Sequence, residues 1–292
     1  MIITKYYKAG DLTHFITKDF FNINWENKSK ILHRISDGLC NIHGVNNIHK
    51  DYHSGNIFIV GSADSKAITG DLGLNKSATE SLKNDNEIYG IIPYVAPEIF
   101  QGQKYTKASD IYSFGMIMWE LMTGRRPFWD KSHDTDLIIE IRDGLRPPIV
   151  TNAPEGYIEL MQNCWHFDPN KRPKANDLRS IVLDIWLREK YNRTPTKIIK
   201  SPNIGPITTN NPNAIYKSRP LSAIIKSAES TRSLRQPILV KRKFNNDLVE
   251  NNNEDKIIKK FKLCEDKNDG DYSLTKELGF DNNELLINNN SK

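Results

Sequence analysis

The 292-residue chain carries 41 Lys and Arg against 36 Asp and Glu, but the excess is local: residues 191–292 hold 18 basic and 12 acidic side chains, residues 1–190 hold 23 and 24. The length admits one or two domains, and the overall +5 belongs to the tail and says nothing about the folded part. Three widely spaced cysteines (Cys40, Cys164, Cys264) suggest no disulfide frame, and the polar N-terminus no signal peptide; no apolar run approaches the roughly 18 residues of a membrane span, so a soluble, reducing, intracellular setting is expected.

Ile2, Ile3, Tyr6 and Tyr7 read as the end of a β-strand, which Ala9-Gly10-Asp11 breaks. Asp11 is placed to cap a short helix with Leu12, Phe15 and Ile16 on one face. A longer helix runs from its cap Asn24 to His43, with Leu32, Ile35, Leu39 and Ile42 at helical spacing, and Gly44 ends it. Cys40 on that helix reads as a packing residue.

The stretch that follows, His49-Lys50-Asp51-Tyr52-His53-Ser54-Gly55-Asn56, places an acid and an amide five residues apart. Ile57–Val60 and Ala67–Thr69 read as strands joined by a polar turn, and this hairpin brings Asn56 alongside Asp71. Two oxygen ligands and one further carboxylate then converge on one side. Phosphoryl transfer needs such a set: one carboxylate takes the proton of an attacking hydroxyl, while an amide oxygen and a second carboxylate hold Mg²⁺ against the phosphates of ATP. Either half alone also fits a surface hairpin flanked by turn residues.

Residues 74–89 read as a polar loop, in which Thr79, Ser81 and Tyr89 are candidate phosphosites. Gly90-Ile91-Ile92-Pro93-Tyr94-Val95-Ala96-Pro97-Glu98 closes it. Ser109-Asp110 opens a helix apolar on all sides that runs to Gly124, so it belongs in a core; Asp110 could simply cap it. Arg125-Arg126-Pro127-Phe128, Arg146-Pro147-Pro148 and Cys164-Trp165 lead to Asp168-Pro169 and Lys171-Arg172-Pro173. A last helix, Asn176 to Lys190, would bury Leu178, Ile181, Ile185 and Trp186. Beyond it periodicity fails, and a composition boundary near Lys190 separates a domain at 1–190 from a disordered, Asn- and Lys-rich tail at 191–292. Basic runs at 241–243 and 256–262 are compatible with a bipartite nuclear-import signal, an anionic-surface patch or plain solvated disorder.

These motifs, in this order, resemble eukaryotic protein kinases of the tyrosine-kinase-like type, and they do so over the C-terminal lobe. The opening stretch and Asp71-Leu72-Gly73 resemble H-R-D-x-x-x-x-N and D-F-G, with Lys50 for Arg and Leu72 for Phe; residues 90–98 resemble G-T-x-x-Y-x-A-P-E, with Ile91 for Thr. His53 stands where serine/threonine kinases usually have Lys, which leaves acceptor specificity unread. No G-x-G-x-x-G and no V-A-I-K-like strand occurs in the sequence, so the resemblance is to a hinge and C-lobe with the N-lobe largely missing. The implied fold is mainly α (α+β), a helical C-lobe with a short β-hairpin, followed by a disordered tail.

The resemblance implies a role for each matched residue. Asp51 is the catalytic base, with His49 and Lys50 beside it in the catalytic loop, and Asn56 and Asp71 are the Mg²⁺ ligands. Thr4 is the gatekeeper, Lys5, Tyr6 and Tyr7 meet adenine, Asp11 lies near the ribose, Phe58 forms the floor under adenine, and Gly70 completes the ATP site. Asp110 anchors the catalytic loop, and Arg172 pairs with Glu98. The implied cofactors are ATP and Mg²⁺, the partners ATP and a protein substrate, with no membrane and no nucleic acid, in the cytoplasm with nuclear entry left open. Two other functions stand beside the kinase: a non-catalytic lobe that docks proteins, and nucleic-acid binding through the tail.

Overall fold

The computed structural model describes residues 7, 9–60, 66–71, 76–77 and 87–246, with side chains for all of these but 76–77 and 235–246. The chain divides into two units, Met1–Ile238 and Leu239–Lys292, and of the second only the helical backbone of 239–246 is described. Among the described residues no helix is long and apolar enough to cross a membrane.

Helix α1 (Leu12–Asp19) starts where expected, because the Asp11 carboxylate accepts the His14 amide at 2.7 Å. Helix α2 (Trp25–Gly44) is capped by Asn24, whose side chain accepts from the Asn27 amide. It buries Ile31, Leu32, Ile35 and Leu39 on one face. Each such side chain, fully buried, is worth about 1.5–3 kcal/mol. Strand β1 (Asn47–Ile48) follows, then the antiparallel hairpin of β2 (Ile57–Val60) and β3 (Lys66–Thr69), with Ile57 opposite Thr69 and Phe58 opposite Ile68. Strand β4 (Lys76–Ser77) pairs with β1. The remainder of the 74–86 loop, Thr79 and Ser81 included, lies outside the described residues.

Strand β5 (Tyr89–Gly90) leads through the buried Ile92–Tyr94 turn to helix α3 (Lys107–Thr123). This helix is buried from Ser109 to Thr123, as its apolar composition requires. Its cap is Thr106, in a reciprocal box with Ser109, so Asp110 is released from capping. Gly115 lets α3 approach helix α5 (Tyr157–Cys164) closely; a Cβ there would stand 2.9 Å from that of Cys164. Helix α4 (Thr135–Arg142) and helix α6 (Ala175–Tyr191) complete the lobe, and α6 makes the widest contact with α2.

Two expectations are corrected. Helix α6 buries Leu178, Val182 and Ile185, while Ile181 is 39% exposed and Trp186 half-buried. The face follows spacings of 4 and 3 from Leu178 rather than 3 and 4. The second concerns the tail. Residues 192–234 are not free of the lobe: Ile204, Leu221, Ile225 and Ala228 are buried in its core. The Gly205 amide donates to the Thr123 carbonyl at 2.7 Å, and the Asn211 amide to that of Trp129 at 2.9 Å. The segment ends in strand β6 (Arg219–Pro220), which pairs with β5, and helix α7 (Ser222–Asn246). An extended chain whose hydrogen bonds go to another element has neither helical nor strand periodicity, so it reads as disorder. The basic run at 241–243 falls on the backbone of α7, and that at 256–262 lies outside the described residues.

Candidate active site

The centre of the site is one buried carboxylate. Asp110, 1% exposed in the first turn of α3, accepts the amides of His49 at 2.8 Å and Lys50 at 3.0 Å, and binds His43 Nε2 at 2.9 Å. Those two amides fix the loop after β1 in an uncommon shape, with Lys50 at φ +72°. His49 is fully buried; its Nε2 donates to the Gly70 carbonyl at 3.0 Å, and its ring meets Tyr52 edge-on. Gly70 in turn donates its amide to the Asn56 carbonyl at 2.8 Å. Side-chain and backbone donors bonded to backbone carbonyls thus tie the segment of Asp51, the turn of Asn56 and the residue before Asp71 into one network.

Asp51 is 7% exposed, and His53 Nε2 stands 3.5 Å from its Oδ2. Burial pushes its carboxyl up, but the His53 contact, the Ser218 hydroxyl and His49 together outweigh this and hold it below the usual range. The Asn56 amide is fixed by donating Nδ2 to the Asp51 carbonyl at 2.9 Å, which leaves its oxygen as the atom offered to a cation. Asp71 is exposed at φ +53°. One amide oxygen and one exposed carboxylate form a hard, oxygen-only donor pair, which fits Mg²⁺ with its remaining positions given to water and phosphate.

The side that the resemblance assigns to adenine is less fully described. Thr4, Lys5 and Tyr6, with Leu72 and Gly73, lie outside the described residues. Tyr7 stacks on Phe58 with ring centroids 5.6 Å apart. The Gly10 carbonyl accepts the Ile59 amide at 3.1 Å, and Asp11 bridges Phe58, so this segment runs along β2. Gly70 is required beneath Phe58: a Cβ at that position would stand 2.6 Å from the ring. Asp11, Phe58 and Gly70 are therefore gathered at one edge of the hairpin. Glu98 and Arg172 meet in the interior, below the site.

Sequence reasoning missed a buried polar chain. Tyr94 Oη donates to Glu120 Oε1, Ser54 Oγ lies 3.5 Å from Tyr94 Oη, and Thr13 Oγ1 lies 2.8 Å from Ser54 Oγ. Burial lifts the Glu120 carboxyl to about 7. This chain borders a cavity of about 350 Å³ also lined by His53, Arg126 and Tyr216. Glu120 lies in an otherwise apolar helix, and its charge there was the one available signal.

A loop held by a buried aspartate and carrying an acid, with an amide and a second acid beside it on a helical lobe, defines a phosphotransferase-type lobe. The family described as protein tyrosine and serine/threonine kinase matches residues 1–182, and the chain belongs to that family. Among its relatives, the probable serine/threonine-protein kinase roco5 of Dictyostelium discoideum is 32% identical over 212 residues, covering 68% of this chain and 8% of the relative. A putative serine/threonine-protein kinase/receptor of Acanthamoeba polyphaga mimivirus is 32% identical over 196 residues, 65% of this chain and 11% of the relative. Ephrin type-A receptor 5 of Gallus gallus is 31% identical over 206 residues, 68% of this chain and 19% of that protein. The chain thus spans less than a fifth of the length of each.

Proposed function

We propose that the protein transfers the γ-phosphoryl group of ATP to protein hydroxyls, as a tyrosine-kinase-like kinase whose described residues supply the base, the metal ligands and the lower wall of the nucleotide site. Mg²⁺, when bound, would neutralise the phosphate charge. Asp51, held ionised, accepts the proton of the acceptor hydroxyl. Asn56 and Asp71 hold the cation, and Phe58 packs under the base. The Arg146-Pro147-Pro148 and Cys164-Trp165 motifs, with the likeness to roco5, support the tyrosine-kinase-like assignment. The observation that carries the reading is the network of Asp110, His49, Gly70 and Asn56, which ties together the chain segments that carry Asp51, Asn56 and Asp71.

A titration of thermal stability with Mg-ATP tests it. Saturable stabilisation of about 2.7 kcal/mol at a hundredfold excess over Kd is expected, lost with a chelator and in D71N. A second reading is a lobe that docks partners without catalysis. A flat titration would favour it.

A further inference from the structure

The two arginines that follow α3 are used differently. Arg125 is committed to the chain itself: its Nε donates to the Gly205 carbonyl at 3.0 Å, and its Nη2 to that of Pro202. Arg126, half-buried, has a guanidinium that makes no hydrogen bond and no ion pair among the described residues; it lies over the Tyr216 ring at 3.9 Å. A ring face holds the cation but supplies no oxygen to its five N–H donors. Tyr216 is itself fixed, since its Oη donates to the Pro127 carbonyl at 2.8 Å and the His133 ring meets it edge-on. Glu120 acts on Arg126 only at longer range. It is buried and takes the Tyr94 hydroxyl, and burial raises its carboxyl to about 7, so near neutral pH it carries only part of a charge. Arg126 therefore has a support but no anion in contact.

Arg126 lines the cavity of about 350 Å³, between α1, the turn after Asp51 and the segment of Tyr216. That volume is at the low end of the roughly 300–1,000 Å³ of ligand pockets, and suits one side chain with its water better than a whole ligand. The cavity opens beside the base, because His53 lines it and holds Nε2 3.5 Å from Asp51 Oδ2. A peptide that presents a hydroxyl to Asp51 runs past this opening. Thr13 and Ser54 share one hydrogen bond of 2.8 Å at its wall, which engages one hydroxyl hydrogen and leaves the other. The one carboxylate in the lining is Asp11, and one of its oxygens already accepts the His14 amide as the cap of α1.

We propose that this cavity is a subsite for an anionic side chain, a carboxylate or a phosphate ester, carried by the protein substrate near its acceptor hydroxyl, and that Arg126 selects it. This rests on the kinase reading above. The guanidinium offers a planar fork that a carboxylate or phosphate meets with two parallel hydrogen bonds, and its seat on Tyr216 pre-orders it for pairing. In a partly enclosed site the attraction is stronger than on open surface. A lysine or arginine side chain would enter against Arg126, and that repulsion sharpens the choice.

The test uses the full chain and threonine peptides alike except for one residue, glutamate, phosphoserine, glutamine or lysine, walked through the positions on either side of the threonine. Binding is read by fluorescence anisotropy, which needs no turnover, and kcat/KM is measured with Mg-ATP beside it. At one position the glutamate or phosphoserine peptide is expected to bind about tenfold or more tighter than the glutamine peptide, with lysine weakest. A lead of phosphoserine over glutamate assigns the site to phosphate esters, and parity assigns it to either anion. R126Q should bring glutamate and glutamine to within about twofold, and R126E should place lysine ahead of glutamate, a reversal that loss of fold does not produce. Equal binding of glutamate and glutamine peptides at every position, a preference that persists in R126Q, or no measurable binding of any peptide overturns the proposal. Peptides phosphorylated without preference remove the subsite and leave the kinase reading. A preference with no phosphorylation removes the kinase reading and leaves the cavity as a docking site for an anionic segment.

Discussion

The Arg172 guanidinium and the Glu98 carboxylate, 74 positions apart, meet through two hydrogen bonds of 2.7 Å in the interior. Arg172 also donates to the carbonyls of Ala108 and His166, each at 2.9 Å. The guanidinium thereby ties the end of the 87–98 segment to the start of α3 and to the loop before α6. R172A leaves a buried carboxylate unpaired and is expected to cost roughly 3–5 kcal/mol in urea unfolding. A double variant replacing both partners with apolar side chains should lose less than R172A alone, since it buries no lone charge.

Asp110 governs the site more directly. In D110A the His49 and Lys50 amides lose their acceptor, and a buried donor left unsatisfied costs roughly 1–3 kcal/mol. Lys50 then loses an amide bond that helps hold it at φ +72°. We expect a stability loss of about 2 kcal/mol or more, with amide exchange accelerated first at 49–51. Loss of stability spread evenly over α3 instead would mean that Asp110 serves the helix rather than the loop.

Gly70 and Phe58 make a separable test of the proposed nucleotide wall. G70A forces a methyl to within 2.6 Å of the Phe58 ring, so the ring must turn out of its place. Overpacking of this kind costs typically about 1–3 kcal/mol. The expected result is a weakened Mg-ATP stabilisation in G70A, restored in part by G70A/F58L. Equal loss in the single and double variants would place the defect elsewhere.

The helices were legible because caps and burial followed local chemistry: Asp11 and Asn24 accept the amides their positions suggest. The hairpin was legible through its alternation, and the pairing of Glu98 with Arg172 through motif resemblance, which spacing alone could not supply. What escaped reading depends on long-range contact. Val182 replaces Ile181 in the core because the packing of α6 on α2 chooses between two apolar residues one position apart. The path of 192–221 is set by carbonyls such as those of Thr123 and Trp129, which carry no side-chain signature.

Lys28 offers a pH test in the core. Its amine lies 3.7 Å from the centre of the Phe20 ring and has no hydrogen-bond partner among the described residues. Burial lowers its pKa from 10.5 to about 7, the aromatic contacts notwithstanding. Between those values the unfolded chain holds a proton that the folded chain has released, so stability from this residue rises with pH from about 7 to 10.5, and its cost is greatest below 7. K28M is expected to gain roughly 2–4 kcal/mol at pH 6 and progressively less toward pH 10. A gain that does not vary with pH would show that the amine is solvated.

Glu120 titrates with the opposite sign. Burial raises its carboxyl from 4.5 to about 7 against the pull of the Tyr94 hydroxyl and of Arg126. The folded chain therefore keeps a proton that the unfolded chain loses, and stability falls as pH climbs from about 4.5 to 7, then stays low. Gln keeps an oxygen for the Tyr94 hydroxyl and has nothing to ionise, so E120Q should match the parent near pH 5 and exceed it by roughly 2–3 kcal/mol at pH 8. Thermal unfolding of both chains across that range decides it: parallel curves would mean that Glu120 is ionised throughout and paired. Because Tyr94 also leads through Ser54 to Thr13 at the cavity, the same variant reports whether that polar chain tolerates a neutral end without rearranging the wall beside His53.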